Sequence, residues 1–87
     1  MAEIFLDSKI VGEVLAECRK EKGLSQEVLS GLADIWRTHL SAIERGERKP
    51  TMETLYRLSM ALDMDMSEIV KRIEEQLKNR TCAGSDY

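Results

Sequence analysis

The sequence has few of the features that mark β-sheet, secreted or membrane proteins. Its 87 residues include one proline and five glycines, and so few turn-forming residues argue against a many-stranded β fold. The apolar runs are short, with Ile4-Phe5-Leu6 among the longest, whereas a membrane span needs about 20 apolar residues. The first residues carry Glu3 and Asp7 and no basic start, unlike a signal peptide. We therefore expect one small domain in the cytoplasm, with no membrane contact.

Residues that bind metals or catalyse reactions are equally scarce. The chain has two cysteines and one histidine, and their spacing does not resemble a zinc site. In a chain without an export signal, Cys18 and Cys82 are expected to be free thiols. Cys18 lies on the apolar side of a helical pattern, which predicts a core position. His39 is the lone histidine and the sequence has no glycine-rich phosphate loop, so we predict no catalytic residue, no metal and no cofactor.

The charge distribution is uneven along the chain. Lysines and arginines number 13 against 16 acidic residues, a net charge of −3, and the sequence pI is about 5.2. Residues 36–49 nevertheless hold four basic and two acidic side chains. The net charge disfavours indiscriminate binding to nucleic acid, but it leaves room for one specific basic face.

Apolar residues recur at helical spacing in five segments, and each segment has a start or stop signal. Asp7 or Ser8, Ser25 and Thr51 are suited to N-caps, and Gly23 and Gly46 to helix ends. We predict an all-α, compact five-helix domain over residues 8–79, with an N-terminal arm at 1–7 and a flexible tail at 80–87. The predicted helices cover residues 8–22, 25 to about 33, about 36–45, a segment after Thr51 and a segment after Asp65.

The second and third helices are separated by about three residues, which suits a helix-turn-helix over about residues 25–45. Leu29, Ala33, Leu40 and Ile43 are spaced to face inward. The opposite face of the third helix carries side chains that can hydrogen-bond to base edges in a DNA major groove, because arginine pairs with guanine and threonine contacts bases or the thymine methyl. These outward residues are Arg37, Thr38, Ser41, Ala42 and Arg45.

Two sequence strings carry a family resemblance. Leu24-Ser25-Gln26-Glu27, followed by Leu40-Ser41-Ala42-Ile43-Glu44-Arg45-Gly46-Glu47-Arg48-Lys49-Pro50, closely resembles the phage-repressor (Cro and C1-type, or XRE) helix-turn-helix family over about residues 10–75. The string Arg37-Thr38-His39-Leu40-Ser41 is also similar to controller proteins of restriction–modification systems. The resemblance implies a lambda-repressor-like fold and a homodimer that places two recognition helices in successive major grooves of a two-fold symmetric operator.

The resemblance also implies roles for individual residues. An arginine late in the first helix pairs with the glutamate of the Ile-Glu-Arg-Gly motif in this family, which predicts a structural ion pair between Arg19 and Glu44. Asp34 stands where many members have glycine, and Ala42 replaces a longer polar residue. Trp36 stands where a small capping residue is usual, and it packs either against the turn or along a sugar-phosphate edge. The predicted DNA-binding residues are Gln26, Trp36, Arg37, Thr38, His39, Ser41, Ala42, Arg45, Arg48 and Lys49.

The fifth helix carries an apolar stripe longer than a small domain easily covers. Met66, Ile69 and Val70 are expected to face the core. The predicted dimer interface consists of Ile69, Ile73 and Leu77.

Two functions from different classes fit these patterns. The first is a sequence-specific, dimeric transcriptional regulator that binds double-stranded DNA through the helix at 36–45. The alternative is a protein-interaction module, such as an antitoxin or anti-repressor, whose main role is to bind a partner protein. The first is the leading interpretation, and the acidic pI and the apolar fifth helix keep the alternative open.

Overall fold

A computed structural model describes the backbone of residues 4–85 and the side chains of residues 4–80. This part of the chain forms five helices and contains no strand, which confirms the all-α, five-helix prediction. The helices are α1 (Ser8–Glu21), α2 (Gln26–Ala33), α3 (Arg37–Glu44), α4 (Met52–Ala61) and α5 (Met66–Ser85).

Three helix starts are capped by the residues that the sequence indicated. The Asp7 carboxylate accepts a hydrogen bond from the backbone N–H of Lys9 at 2.9 Å. Ser25 Oγ accepts from the N–H of Val28 at 3.1 Å, and Thr51 Oγ1 accepts from the N–H of Thr54 at 3.0 Å. Each cap satisfies a backbone donor that the first turn of a helix leaves free.

The helix ends use residues in the left-handed conformation. Gly23 and Gly46 have φ of 71° and 80°, a region that glycine enters without a Cβ clash. Asp34, at φ 58° and ψ 48°, ends α2 in the same conformation, and Asp63 does so after α4 at φ 56°. Aspartate tolerates this region better than most side chains do, so the chain turns sharply after α2 without a glycine.

The core is aliphatic and draws on all five helices. α1 packs against α3 and α5, whereas α2 packs against α3 and α4. Cys18 has no exposed surface, which confirms the core position predicted for it. The buried apolar residues are Ile10, Val11, Val14, Leu15, Cys18, Leu29, Ala33, Leu40, Ile43, Leu55, Leu58, Leu62, Ile69 and Ile73.

The orientation of α5 corrects part of the predicted dimer interface. Ile69 and Ile73 are 0% and 7% exposed within a single chain, so they fill the protomer's own core and have almost no surface to offer a partner. Leu77 packs against the core and is half-buried. Val70, which was expected in the core, is 46% exposed. The reason is geometric: residues four apart share a helix face, so burying both isoleucines turns Val70 outward.

α5 is longer than the predicted domain, because it continues through residue 79 to Ser85. The first residue after position 79 that disfavours a helix is Gly84, and Arg80 is paired with Glu13 of α1. Residues 80–85 of the expected tail are thus helical, while residues 86–87 and residues 1–3 of the arm lie outside the described part. Residues 4–7 precede α1 without regular structure. None of the described helices is long and apolar enough to cross a membrane.

Candidate nucleic-acid interface

The turn between α2 and α3 consists of three residues with a fixed backbone. The N–H of Asp34 donates to the carbonyl of Gly31 at 3.3 Å, and the N–H of Ile35 donates to the carbonyl of Ser30 at 3.0 Å. These two bonds satisfy the last carbonyls of α2 in the pattern of a left-handed C-cap. The turn therefore sets the angle at which α3 leaves α2.

α3 buries one face and leaves the other open. Leu40 and Ile43 are fully buried, whereas Arg37 and Thr38 are exposed at the start of the helix. Ser41 and Ala42 are half-buried, one turn further along. Because a helix of eight residues makes about two turns, the exposed side is a short polar stripe of the kind that fits a groove.

A shallow depression lies along this stripe and brings together residues from α3 and the loop that follows it. It is lined by Trp36, Thr38, His39, Ala42 and Arg48. Arg48 and Lys49 are exposed in the loop. Five of the predicted DNA-binding residues thus line one concave surface.

Trp36 is the N-cap of α3, but its side chain makes no capping hydrogen bond. Its side chain is 81% exposed, which excludes close packing against the turn, one of the two positions considered from the sequence. A large aromatic side chain with this exposure supplies apolar contact area next to the polar stripe.

A second group of interactions ties α3 to α1 and α2. Arg19 Nε and Nη2 donate to the two carboxylate oxygens of Glu44 at 2.8 and 2.9 Å, and Arg19 Nη1 donates to the carbonyl of Leu24 at 2.9 Å. The ion pair implied by the resemblance is thus present. Its hydrogen bond to Glu44 raises the pKa of Arg19 above the ordinary value. Gln26 Nε2 also donates to Glu44, at 2.9 Å, which orients the Gln26 amide beside Arg37 at the edge of the interface.

Arg45 is held by residues of its own chain. Its guanidinium donates to both carboxylate oxygens of Glu47, at 2.9 and 3.0 Å, and to Ser41 Oγ. The hydrogen bonds from Arg45 lower the pKa of the Glu47 carboxyl. Arg45 and Ser41, both predicted to bind DNA, are therefore bonded to each other and to an exposed acid that the sequence analysis did not single out.

Arg57 of α4 is a further residue at this site that sequence reasoning missed. Arg57 Nη1 donates to the backbone carbonyl of Asp34 at 3.1 Å and lies 3.3 Å from Asp34 Oδ2. The available signal was Glu53 four residues earlier, which accepts from Arg57 at 2.9 Å. Within the described residues, no group of His, Cys, Asp and Glu side chains is placed to hold a metal ion.

Comparisons with known proteins agree with this geometry. A helix-turn-helix family model matches residues 15–69. The chain is 42% identical over 67 residues to the HTH-type transcriptional regulator y4dJ of Sinorhizobium fredii, covering 77% of this chain and 87% of that protein. It is 36% identical over 76 residues to the control protein C.SmaI of Serratia marcescens, covering 86% and 88%.

Solved structures show the same architecture. The restriction-modification controller protein C.AhdI from Aeromonas hydrophila superposes with a TM-score of 0.71 at 35% identity, covering 75% of this chain and 98% of that one. The wild-type restriction-modification controller protein C.Esp1396I superposes with a TM-score of 0.76 at 29% identity, covering 86% and 97%. The helical fold described above is thus similar to that of small controller proteins whose own length this chain covers almost completely.

Proposed function

Because the chain belongs to the helix-turn-helix family of DNA-binding transcriptional regulators, we propose that it acts as a homodimer on a two-fold symmetric operator, with α3 in the major groove. The observation that carries this proposal is the division of α3 into a buried face, with Leu40 and Ile43, and an exposed polar face that begins with Arg37 and Thr38. A helix fixed in this way presents the same side chains to each half-site.

In this proposal, side chains on the two turns of α3 recognise the base sequence of the DNA. Arg37 is exposed at the first position of the helix, where a guanidinium can donate two hydrogen bonds to a guanine edge. Thr38 is exposed beside it and can contact a base or a thymine methyl. Ala42 offers only a methyl group, which suits an apolar contact with thymine.

Backbone contacts come from the residues around this helix. Gln26 begins α2, where free backbone N–H groups and the helix dipole favour a phosphate, and its amide is oriented by Glu44. His39, Arg48 and Trp36 line the depression, and the exposed Lys49 follows Arg48 in the loop, where it also lines the edge of the apolar groove described below. Ser41 and Arg45 also contact the DNA backbone in this proposal. Arg45 releases the Glu47 carboxylate and binds a phosphate in its place. Such contacts fix the register of the protein on the duplex.

The dimer surface that we propose shares Ile73 and Leu77 with the one predicted from the sequence but does not include Ile69. An apolar groove runs between the arm, the start of α4 and α5, and its lining includes Leu6, Met52, Val70 and the half-buried Leu77. Met52 is 74% exposed and Val70 is 46% exposed. A second copy that covers this groove would remove these side chains from water, the main driving force for association.

Relatives whose length this chain covers almost completely suggest the kind of role that it has. C.AhdI and C.SmaI are named as a controller and a control protein, and this chain matches most of the length of both. We propose the same kind of role, namely control of one promoter by the concentration of the dimer. The position of the operator in that promoter decides whether the dimer represses or activates.

Selection of bound duplexes from a random pool at physiological salt tests the proposal. We expect a two-fold symmetric site with half-sites about 10 base pairs apart, and Arg37→Ala should lose preference at particular positions. Arg80→Ala, which removes an arginine that is paired with Glu13 away from this surface, should select the same site as the wild type. If a folded wild-type protein enriches no sequence, the regulator proposal is wrong and the protein-interaction alternative takes its place.

A further inference from the structure

Arg57 bridges α4 to the turn that precedes the recognition helix. Its Nη1 atom lies 3.1 Å from the backbone carbonyl oxygen of Asp34, and its Nη2 atom donates to Glu53 at 2.9 Å. The contact is to a backbone group at the one residue of the turn with a positive φ. Arg57 therefore restrains the backbone of the turn as well as contacting the exposed carboxylate of Asp34.

The restraint from Arg57 adds to the two backbone bonds of the turn, because the start of α3 has no side-chain cap. Trp36, the N-cap, has no side-chain capping bond, and its ring is 81% exposed. A capping side chain normally fixes the first turn of a helix. Asp34 also occupies a backbone region that aspartate tolerates but that glycine enters more readily, so a contact to its carbonyl helps the turn to hold one geometry.

We propose that Arg57 is a positioning residue for DNA reading, one that holds the turn at Asp34 so that Arg37 and Thr38 meet the bases in a single register. This inference rests on the proposed function, because it concerns the same recognition helix. In this proposal Arg57 acts on specificity through the turn and not through a phosphate, and its Nη1 and Nη2 atoms donate to Asp34 and Glu53 in the free protein. A loosened turn would let α3 shift by a few tenths of an ångström, which weakens directional contacts to base edges more than contacts to phosphates.

The competing role for Arg57 is a direct phosphate contact, and salt dependence separates the two. Each phosphate neutralised by a protein cation contributes about 0.9 to the slope of log affinity against log salt. If Arg57 is a positioning residue, its removal leaves that slope unchanged and lowers only the ratio of operator to non-specific affinity. If Arg57 contacts a phosphate, its removal lowers the slope by about one and weakens binding to both duplexes alike.

The experiment compares the wild type, Arg57→Ala, Arg57→Lys and the control Arg80→Ala, which also removes one exposed, acid-paired arginine. Affinities are measured for the selected operator and for a scrambled duplex over a range of salt concentrations. We expect Arg57→Ala to lose about threefold to tenfold in operator affinity, with scrambled-duplex affinity within about twofold of the wild type and an unchanged slope. Arg57→Lys keeps the charge but has a single donor atom, so we expect it to lose nearly as much operator affinity as Arg57→Ala does.

A second measurement needs no DNA. In ¹⁵N relaxation of the free protein, Arg57→Ala should lower the amide order parameters of Ile35, Trp36 and Arg37 from the value of about 0.85 that is typical of rigid backbone. Unchanged order parameters, a slope reduced by about one, or full restoration by Arg57→Lys would each overturn the inference. If the wild type shows no operator preference, the proposed function fails, while the order parameters still decide whether Arg57 holds the turn.

Discussion

The guanidinium of Arg19 and the carboxylate of Glu44 form a two-point ion pair, with contacts of 2.8 and 2.9 Å, that joins α1 to the end of the recognition helix. The two side chains are only 13% and 6% exposed. The same carboxylate accepts from Gln26 at the start of α2. One acid thus links α1 to α2 and α3, the two helices that carry the proposed DNA-binding surface.

Glu44→Gln should destabilise the protein and disorder the Gln26 amide. The substitution leaves the guanidinium of Arg19 largely buried without a counter-charge, and we expect a loss of about 2–3 kcal/mol in the free energy of unfolding. Urea denaturation monitored by circular dichroism measures the loss. The matched control is Glu13→Gln, which breaks an exposed pair with Arg80 and should cost less than about 1 kcal/mol. Equal losses in the two variants would contradict a structural role for Glu44.

Replacing two helical glycines by alanine should change the stability of the protein in opposite directions. A Cβ at Gly12 of α1 would lie 2.6 Å from the carbonyl oxygen of Glu44, so backbone must move, and we expect a loss of roughly 2–3 kcal/mol. A Cβ at Gly31 of α2 meets no atom within 4 Å, so Gly31→Ala should gain about 0.5–1 kcal/mol from helix propensity. Thermal unfolding measures the direction of both changes, since about 1 kcal/mol in stability shifts Tm by roughly 4–8 °C in a domain of this size. A Gly12→Ala variant as stable as the wild type would show that α1 and α3 are less closely packed than described.

The elements of the fold were predictable from sequence because their signals are local. A cap such as Ser25 acts on an N–H three residues away, and the left-handed turn at Asp34 lies between two short amphipathic segments. Which side of α5 is buried depends instead on how α1 lies against it. Ile69 was therefore placed both in the core, where it is fully buried, and in the predicted dimer interface, and Val70 was expected in a core that it does not reach.

Some features of the candidate site could likewise be predicted from local sequence signals, and others depend on tertiary packing. The outward position of Arg37 follows from helical periodicity once Leu40 and Ile43 are placed inward. The bonds from Arg57 to Asp34 span 23 residues, and no periodic pattern encodes a meeting of side chains over that separation. The contact of Arg57 with Asp34 is set by tertiary packing, so periodicity could not identify it, whereas the Arg19–Glu44 pair was predicted through the family resemblance.

Stability should fall at alkaline pH because of Cys18. Burial raises the pKa of its thiol above the ordinary value, partly offset by nearby Arg72. A raised pKa in the folded state means that stability is complete below the unfolded pKa of about 8.5 and is lost as pH rises above it, by at most about 1.4 kcal/mol per pH unit. Urea unfolding between pH 7.5 and 9.5 should show this decline in the wild type and in the control Cys82→Ser. In Cys18→Ala the decline of stability with pH should be smaller. If Cys18→Ala declines as much as the wild type, other groups cause the pH dependence.

A charge at Val70 should weaken the proposed dimer without unfolding the protomer. Val70 is 46% exposed in the apolar groove, so Val70→Glu puts a carboxylate in water in the monomer but buries it in the dimer, which is costly. We expect the dissociation constant from sedimentation equilibrium to rise at least about tenfold. Leu32→Glu is the matched control, because Leu32 is 61% exposed on α2, away from the groove lining. An unchanged constant for Val70→Glu, or a larger effect from Leu32→Glu, would place the interface elsewhere.

Removing the acid that holds Arg45 should strengthen DNA binding. Glu47 accepts both hydrogen bonds from the Arg45 guanidinium, and those bonds lower the pKa of its carboxyl. The carboxylate therefore stays ionised at all pH values above that lowered pKa and competes with phosphate throughout the neutral range. Glu47→Gln frees the guanidinium for phosphate, so we expect affinity to rise about threefold to tenfold, with a salt slope steeper by about one. The operator and a scrambled duplex should gain alike, because phosphate contacts carry no sequence information.

Net charge is the alternative cause of such a gain, and Glu13→Gln controls for it. This variant makes the same charge change on α1, where Glu13 pairs with Arg80. If Glu13→Gln raises DNA affinity as much as Glu47→Gln does, the gain comes from the overall charge of −3 and Arg45 is not the phosphate contact. If only Glu47→Gln strengthens binding, and the additional substitution Arg45→Ala abolishes the gain, then the Arg45–Glu47 pair limits how tightly the regulator holds DNA.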